Sequence, residues 1–460
     1  MDAPRFVGRQ PVHREVSGWR MIPPNLSTHA VWVPCLIGLS LFATSASARA
    51  DEPAKTPTSH DAPVKALSLH QAIALAFDHN PDFRSTGYDV VAAEGAVVQA
   101  SVLPNPSFAV SANGALIKPL SPPLPNSVSL GWTIPIGGKI SAATQAAQAT
   151  LDATKATRIA AKRQLQLNVQ TAFVTAQLNQ ALLSFAEQDK DGFHKELDLN
   201  ELRYKDGKIA FGDLLKLRIQ AVATDDEVRE AALALENARA DLRHIIGEDV
   251  LAADFTVEGE LALNEKPNLG ELDALLDVAL KKRPDYLALL EQEKSAKASL
   301  VLARRTPIPD IGISADYNFD TANSTIAIQN PPSYDISLSI PVPLFDRNQG
   351  NITSAEAAYE KSKLAEQSLR IQIRSDLSKA LQEWKAASEL LAVYQTGVVA
   401  AAKESLEITK HAYELGTGTL LDFLDAEASY RQIESAYRSS IARASLAAQN
   451  IQFVTGEAQP

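Results

Sequence analysis

Tyr204-Lys205-Asp206-Gly207 recurs 209 residues later as Tyr413-Glu414-Leu415-Gly416, and Asp213-Leu214-Leu215 recurs at the same spacing as Asp422-Phe423-Leu424. Outward from these turns the two halves of the chain stay in step. Ile134-Pro135-Ile136 matches Val342-Pro343-Leu344 at an offset of 208. Leu103-Pro104-Asn105-Pro106 matches Thr306-Pro307-Ile308-Pro309, and Asn80-Pro81-Asp82-Phe83 matches Arg283-Pro284-Asp285-Tyr286, both at 203. Anchors in one order with slowly drifting offsets mark an internal duplication, and a period of about 200 residues is too long for a solenoid. The first repeat is read as 67–263 and the second as 272–456, joined by a linker at 264–271. Residues 51–66 are read as an N-terminal linker and 457–460 as a tail.

Each repeat follows one plan. A helical segment, Leu69–Ser101 or Leu272–Arg305, is interrupted at Pro81 or Pro284, because proline does not fit a regular helix interior. Two alternating segments follow. Phe108, Val110 and Ala112 alternate with small or polar residues, as do Val128, Leu130, Trp132 and Ile134. In the second repeat Ile311, Ile313, Ala315, Tyr317 and Phe319 form one apolar row, and Ile336, Leu338, Ile340 and Val342 another. Period two is the signature of a strand with one apolar face. The connections 118–126 and 320–333 make each pair of strands a hairpin with a long loop.

Long helices come next. Gly138–Tyr204 and Asn351–Glu414 contain no Pro and only Gly192 and Gly397 inside, so each reads as one helix about 100 Å long. A break at Gly207 or Gly416 precedes a second, antiparallel helix ending near Ile246 or Phe453.

Composition bounds the function. The chain has 460 residues and a net charge of −11, which argues against a nucleic-acid partner. A mean hydropathy near zero excludes a bundle of membrane-spanning helices. The one strongly apolar run, Ala30–Ala43, follows Arg14 and Arg20 and precedes Ala48-Arg49-Ala50, so 1–50 reads as a signal peptide. Its removal takes Cys35 and both methionines, leaving an acidic, exported chain without thiols. Four strands are too few to close a barrel, and an open edge in lipid leaves costly unpaired backbone groups. The strands therefore form either a small soluble sheet on a coiled coil or a barrel shared by several chains; three chains would supply twelve strands.

The chain resembles the outer-membrane efflux family, the TolC-like channel proteins, over 67–456. The resemblance is carried by Ala72-Ile73-Ala74-Leu75-Ala76 leading to Asn80-Pro81, by Leu103-Pro104-Asn105-Pro106, by both Tyr-x-x-Gly turns and by Leu421-Asp422-Phe423-Leu424-Asp425-Ala426. The stretch Pro343-Leu344-Phe345-Asp346-Arg347-Asn348-Gln349-Gly350-Asn351 is most similar to the heavy-metal, CzcC-like branch. The resemblance implies a mainly α fold with a small transmembrane β part: a homotrimer with a twelve-stranded barrel in outer-membrane lipid and a helical barrel in the periplasm. It implies a periplasmic adaptor, an inner-membrane RND-type pump and a passive conduit, here for divalent heavy-metal cations. A drug or organic-solute channel and a periplasmic coiled-coil scaffold are the alternatives.

Asp422 and Asp425, three apart on one helix face, would form carboxylate rings in a trimer, and the resemblance puts them at the periplasmic constriction. The competing reading is an ordinary acidic helix start. Asp213 is the first-repeat counterpart of Asp422, while Lys216 stands where Asp425 would be. Tyr413 matches a family tyrosine that holds the tip closed, but Gly418 replaces the basic partner some members carry. The tips Gly207-Lys208 and Gly416-Thr417 are the expected adaptor contacts, although any helical hairpin needs such a turn. Gly137-Gly138-Lys139 and Arg347-Asn348 read as plain strand-to-helix turns, not phosphate loops. His60, His70, His79, His194, His244 and His411 show no i,i+4 pair, so no metal cage, cofactor or catalytic centre is expected.

Overall fold

The computed structural model describes residues 64–111, 127–247, 250–263, 267, 269–319 and 332–456. The expected signal peptide with Cys35, the strand-tip loops (118–126 and most of 320–333), part of the 264–271 linker and the tail lie outside the described residues. The first half runs β1 (Val64–Leu67), α1 (Leu69–His79), α2 (Pro81–Ser101), β2 (Ser107–Ser111), β3 (Ser127–Ile134), α3 (Lys139–Lys205), α4 (Phe211–Ile246) and β4 (Leu251–Val257). The second runs α5 (Leu272–Lys282), α6 (Pro284–Arg305), β5 (Ile311–Asn318), β6 (Ser333–Ser339), α7 (Gln349–Val393), a π-helical turn (Tyr394–Val398), α8 (Val399–Glu414) and α9 (Leu420–Thr455).

The proline breaks fall where the sequence puts them, but the two repeats finish them differently. Asn80 closes α1 and caps α2: its Oδ1 accepts from the Phe83 N–H at 2.7 Å, and its Nδ2 donates to the Ile245 carbonyl at 2.8 Å. Pro81 sits in the first turn of α2, where its missing N–H costs nothing. At the matching position Arg283 has no side-chain cap, and its buried guanidinium grips Asp285 through two bonds of 3.0 and 2.6 Å.

The strands form one antiparallel sheet in the order β2-β3-β5-β6. Its register aligns the apolar residues in rows. Phe108, Leu130, Ala315 and Ile336 are cross-strand neighbours, as are Val110, Val128, Tyr317 and Tyr334, and Trp132, Ile313 and Leu338. The opposite face carries Ser129, Asp316 and Asp335 in one row and Ser127, Asn318 and Ser333 in another. There Asn318 Nδ2 donates to Asp335 Oδ2 at 2.7 Å, and the Ser314 and Ser337 hydroxyls lie 2.9 Å apart. The apolar face is uncovered: Ile336 is 85% exposed and Phe108 69%. Ile340 and Val342 lie beyond β6, not in it. Its neighbour β5 begins at Ile311, and Pro341 and Pro343 have no N–H to pair.

Three apolar clusters hold the helices. Leu67, Val169, Phe173, Leu242, Ile246 and Phe255 join β1, β4, α3 and α4. Leu275, Ile373, Leu377, Trp384 and Ile451 join α5, α7 and α9. Phe193, Leu217, Tyr413, Leu420 and Phe423 join the two repeats near the tips. The first cluster rests on a parallel pair, β1 on β4, that the alternation did not reveal. Val64–Ala66, read as linker, is part of β1.

α3 is continuous for 67 residues, about 100 Å. Its counterpart is not. The segment read as one helix from Asn351 to Glu414 is split by the π turn, in which Gly397 has φ 117°. A residue with a Cβ resists that angle, so glycine supplies the break. Gly192, the only glycine inside α3, stays helical.

Both long helices leave the sheet through a left-handed residue, Gly138 (φ 69°) before α3 and Asn348 (φ 59°) before α7. Asn is the side-chain-bearing residue most at ease there. These turns are braced. Asn348 Nδ2 donates to the Ala303 carbonyl at 2.8 Å, Arg305 Nη1 to the Gly138 carbonyl at 3.1 Å, and Lys139 pairs with Asp310 at 2.7 Å. Both Asn348→Gly and Asn348→Val lose the bond to Ala303, but only valine strains the backbone. The valine variant should be less stable by about 1–3 kcal/mol. Denaturation midpoints of the purified protein measure the difference, and equal midpoints would mean that the turn stores no strain.

Candidate functional site at the helical tips

The two tips stop their helices in the same way. The Gly207 N–H donates to the Tyr204 carbonyl at 2.9 Å and the Lys208 N–H to Arg203 at 2.8 Å. The Gly416 N–H donates to Tyr413 at 3.0 Å and the Thr417 N–H to Ala412 at 2.9 Å. With φ of 73° and 76°, the glycines complete two Schellman turns. Gly207, Lys208, Gly416 and Thr417 are all exposed.

The tyrosines before these turns differ. Tyr204 is 40% exposed and leans on Phe211 with ring centres 5.8 Å apart. Tyr413 is buried and stacks on Phe423 at 5.7 Å with nearly parallel rings. Its hydroxyl donates to Asn200 Oδ1 at 2.9 Å. Asn200 Nδ2 donates to the Glu196 carbonyl at 2.8 Å and reaches its carboxylate at 3.3 Å. Glu196 Oε2 in turn receives Lys410 Nζ at 2.8 Å. Tyr413, Asn200, Glu196 and Lys410 thus tie α8 of one repeat to α3 of the other. Arg203 adds a bond of 2.9 Å to the Glu414 carbonyl. Burial raises the Tyr413 pKa, and the bond to Glu196 raises that of Lys410. Asn200, Glu196 and Lys410 were not singled out in the sequence. A polar residue at helical spacing on α3 gives no sign that a tyrosine 213 positions away is its partner.

Asp422 and Asp425 line one recess between α8 and α9, about 700 Å³ in volume. Asp213 and Tyr413 line another, about 750 Å³, between the two tips. The four residues therefore form two pairs and not one cluster. Within the first pair the carboxylates have different duties. Asp422 closes a capping box: Thr419 Oγ1 donates to Asp422 Oδ2 at 2.6 Å, and the Asp422 N–H donates to Thr419 Oγ1 at 3.2 Å. Asp425 is exposed and makes no hydrogen bond or ion pair among the described residues. In the first repeat Ala210 occupies the cap position without a side-chain acceptor. Asp213 pairs instead with Lys216 at 3.4 Å, which offsets its charge.

A duplicated strand hairpin with one apolar face, continued by helical hairpins far longer than a small domain, is the architecture this chain shares with solved outer-membrane channels. The chain belongs to the outer membrane efflux protein family, whose profile matches 72–248 and 275–457, one segment in each repeat. It is an efflux channel component and not an enzyme. The cobalt-zinc-cadmium resistance protein CzcC of Cupriavidus metallidurans is 25% identical over 391 residues, covering 85% of this chain and 90% of that protein. The outer membrane protein VceC of Vibrio cholerae superposes with a TM-score of 0.68 at 20% identity, over 85% of this chain and 96% of that one. The open state of the MtrE outer membrane channel of Neisseria gonorrhoeae gives 0.67 at 20%, over 85% and 89%. The two structural likenesses support the fold.

Thr419→Ala and Asp422→Ala should each cost about 0.5–2 kcal/mol, because both open the same capping box. The double variant should lose little more than either single one. Asp425→Ala should leave stability unchanged. Thermal unfolding of the four variants separates the cap from the free carboxylate.

Proposed function

We propose that three copies of this chain share one twelve-stranded barrel in the outer membrane and continue into the periplasm as a helical duct that passes divalent heavy-metal cations outward. The observation that carries this reading is the sheet: an uncovered apolar face, a polar hydrogen-bonded face, and outer strands β2 and β6 each with one unpaired edge among the described residues. Barrels begin at about eight strands, so four can close only with those of other copies. Both repeats, 67–263 and 272–456, contribute one strand hairpin and one helical hairpin to each copy.

Asp422 and Asp425 are the proposed pore constriction. Threefold rings of carboxylates concentrate cations and exclude anions. Asp425, free of local bonds among the described residues, is the carboxylate of the two left open to a passing cation. Tyr413 and Asp213 hold the tips beside that ring. Gly207, Lys208, Gly416 and Thr417 are the proposed contact with a periplasmic adaptor, which links the duct to an inner-membrane RND-type pump. Exposed Leu415, Leu421 and Phe211 flank these turns and favour docking of an apolar partner. The metal cargo draws its support from the similarity to CzcC along nearly the full length of both chains.

Replacing both carboxylates, Asp422→Ala with Asp425→Ala, should raise single-channel conductance in lipid bilayers and lower the preference for cations. Unchanged conductance and selectivity would remove these residues from the constriction. A deletion strain should accumulate cobalt, zinc, cadmium or nickel and be restored by complementation. Equal metal content in deletion and parent strains would turn the cargo assignment toward organic solutes.

A further inference from the structure

A recess of about 300 Å³ lies between α3, α8 and α9 and shares no lining residue with the Asp422 and Asp425 recess. Its walls combine carboxylates with aromatic rings, among them Asp189, Glu196, Glu427, Phe185, Phe423 and Tyr430. Most charges there are matched. Glu196 holds Lys410 at 2.8 Å, and Glu434 holds Arg438 on the same helix. Asp189 and Glu227 share Arg431, at 3.6 and 3.2 Å.

Glu427 has no such partner among the described residues. It is 6% exposed, and its Oε2 is enclosed without a hydrogen bond. Asp189 Oδ2 is enclosed without one as well, since Arg431 is too distant to donate. A buried carboxylate without a partner is costly, and either a proton or a bound cation answers it. Glu227 is half-exposed and does not line the recess, and Arg431 stands opposite Asp189, so inside the recess Glu427 is the one charge without a counterion and the complement is a monocation. Among the described residues no group of three His, Cys, Asp or Glu side chains could hold a metal ion, which argues against a chelated divalent ion. Aromatic walls favour an organic cation instead. The Arg438 guanidinium already lies 4.6 Å over the Phe185 ring, so the wall accepts positive charge.

We propose that this recess binds one organic ammonium ion per chain, its N–H groups donating to Glu427 Oε2 and Asp189 Oδ2 and its alkyl part lying against the aromatic wall. A primary ammonium has three donors, two of which these oxygens take. The site stands apart from the metal cargo and does not depend on it.

Protonation competes with this ligand. Burial, and next the charge of Asp189, push Glu427 up to about 8. Burial pushes Asp189 up to about 6 against the pull of Arg431. The charged groups facing Glu427 are Asp189 and Glu196 from α3, Lys410 from α8 and Arg431 on its own helix. Below pH 7 Glu427 is mostly neutral, so an ammonium ion must displace a proton. Its affinity rises with pH.

Calorimetric titration of the purified full-length protein with n-butylammonium chloride tests this, with 1-butanol as the uncharged control. Saturable binding near one per chain is expected at pH 8.5, about 25-fold weaker at pH 6.5. The alcohol should give no saturable heat. Glu427→Gln keeps the shape, removes the unpaired charge and should weaken binding at least about tenfold. Absence of saturable butylammonium binding at pH 8.5, equal affinity in the Gln variant, or equal binding of 1-butanol overturns the proposal. If Glu427→Gln does not assemble, Asp189→Asn together with the wild-type pH series decides in the same way.

Discussion

A strand edge inside lipid leaves backbone N–H and C=O groups with no water to answer them, at several kcal/mol each. The sheet and the turns that leave it are arranged around that constraint. The register lines up Phe108, Leu130, Ala315 and Ile336 on one face and leaves serine, threonine, asparagine and aspartate on the other. One face suits hydrocarbon and the other water. The edges of β2 and β6 need partners of the same kind, and a symmetric copy is the simplest source. Duplication serves the same end, because it supplies two hairpins per chain that pair through β3 and β5. The left-handed turns at Gly138 and Asn348 then redirect the chain from strand to helix, and cross-ties to α6 and the start of β5 hold the change of direction.

At the far end the same duplication is used asymmetrically. Both tips share one Schellman turn, yet the residues beside them have diverged in role. Tyr413 is buried against Asn200 and Phe423, whereas Tyr204 stays half-exposed. Thr419 and Asp422 close a capping box where the first repeat has Ala210 and a bare start. Lys216 pairs with Asp213, while Asp425, at the place of Lys216, has no ion partner among the described residues. The π turn at Gly397 interrupts one long helix and not the other. A trimer built from such chains alternates unlike helical hairpins, which concentrates negative charge on one of the two.

The interior between the repeats is more polar than a helical bundle requires. Asn200, Glu196, Asp189 and Glu427 are buried or nearly so among apolar neighbours, and hydrophobic residues of the same size would pack there more stably. Polar contacts that must be matched pairwise hold α3, α8 and α9 in one register. The clusters around Phe255 and Trp384, by contrast, are built from apolar side chains.

The amino-acid sequence by itself determined the features that depend on neighbours along the chain. Period-two alternation marked all four strands of the sheet and its apolar face. Pro81 and Pro284 marked the breaks, Gly207 and Gly416 the turns, and unbroken helix-forming runs the long helices. The acidic pair after the second turn was also visible, though not that Asp422 spends its carboxylate on a cap. Only the tertiary structure decided what depends on residues far apart. The β1–β4 pair joins segments almost 190 residues apart through a parallel ladder with no turn between them to announce it. The break at Gly397 is a choice of backbone angle that Gly192, equally free, does not make. Partners such as Tyr413 with Asn200, and the isolation of Glu427, follow from which helix faces meet. That meeting is set by packing between repeats, a property no local pattern encodes.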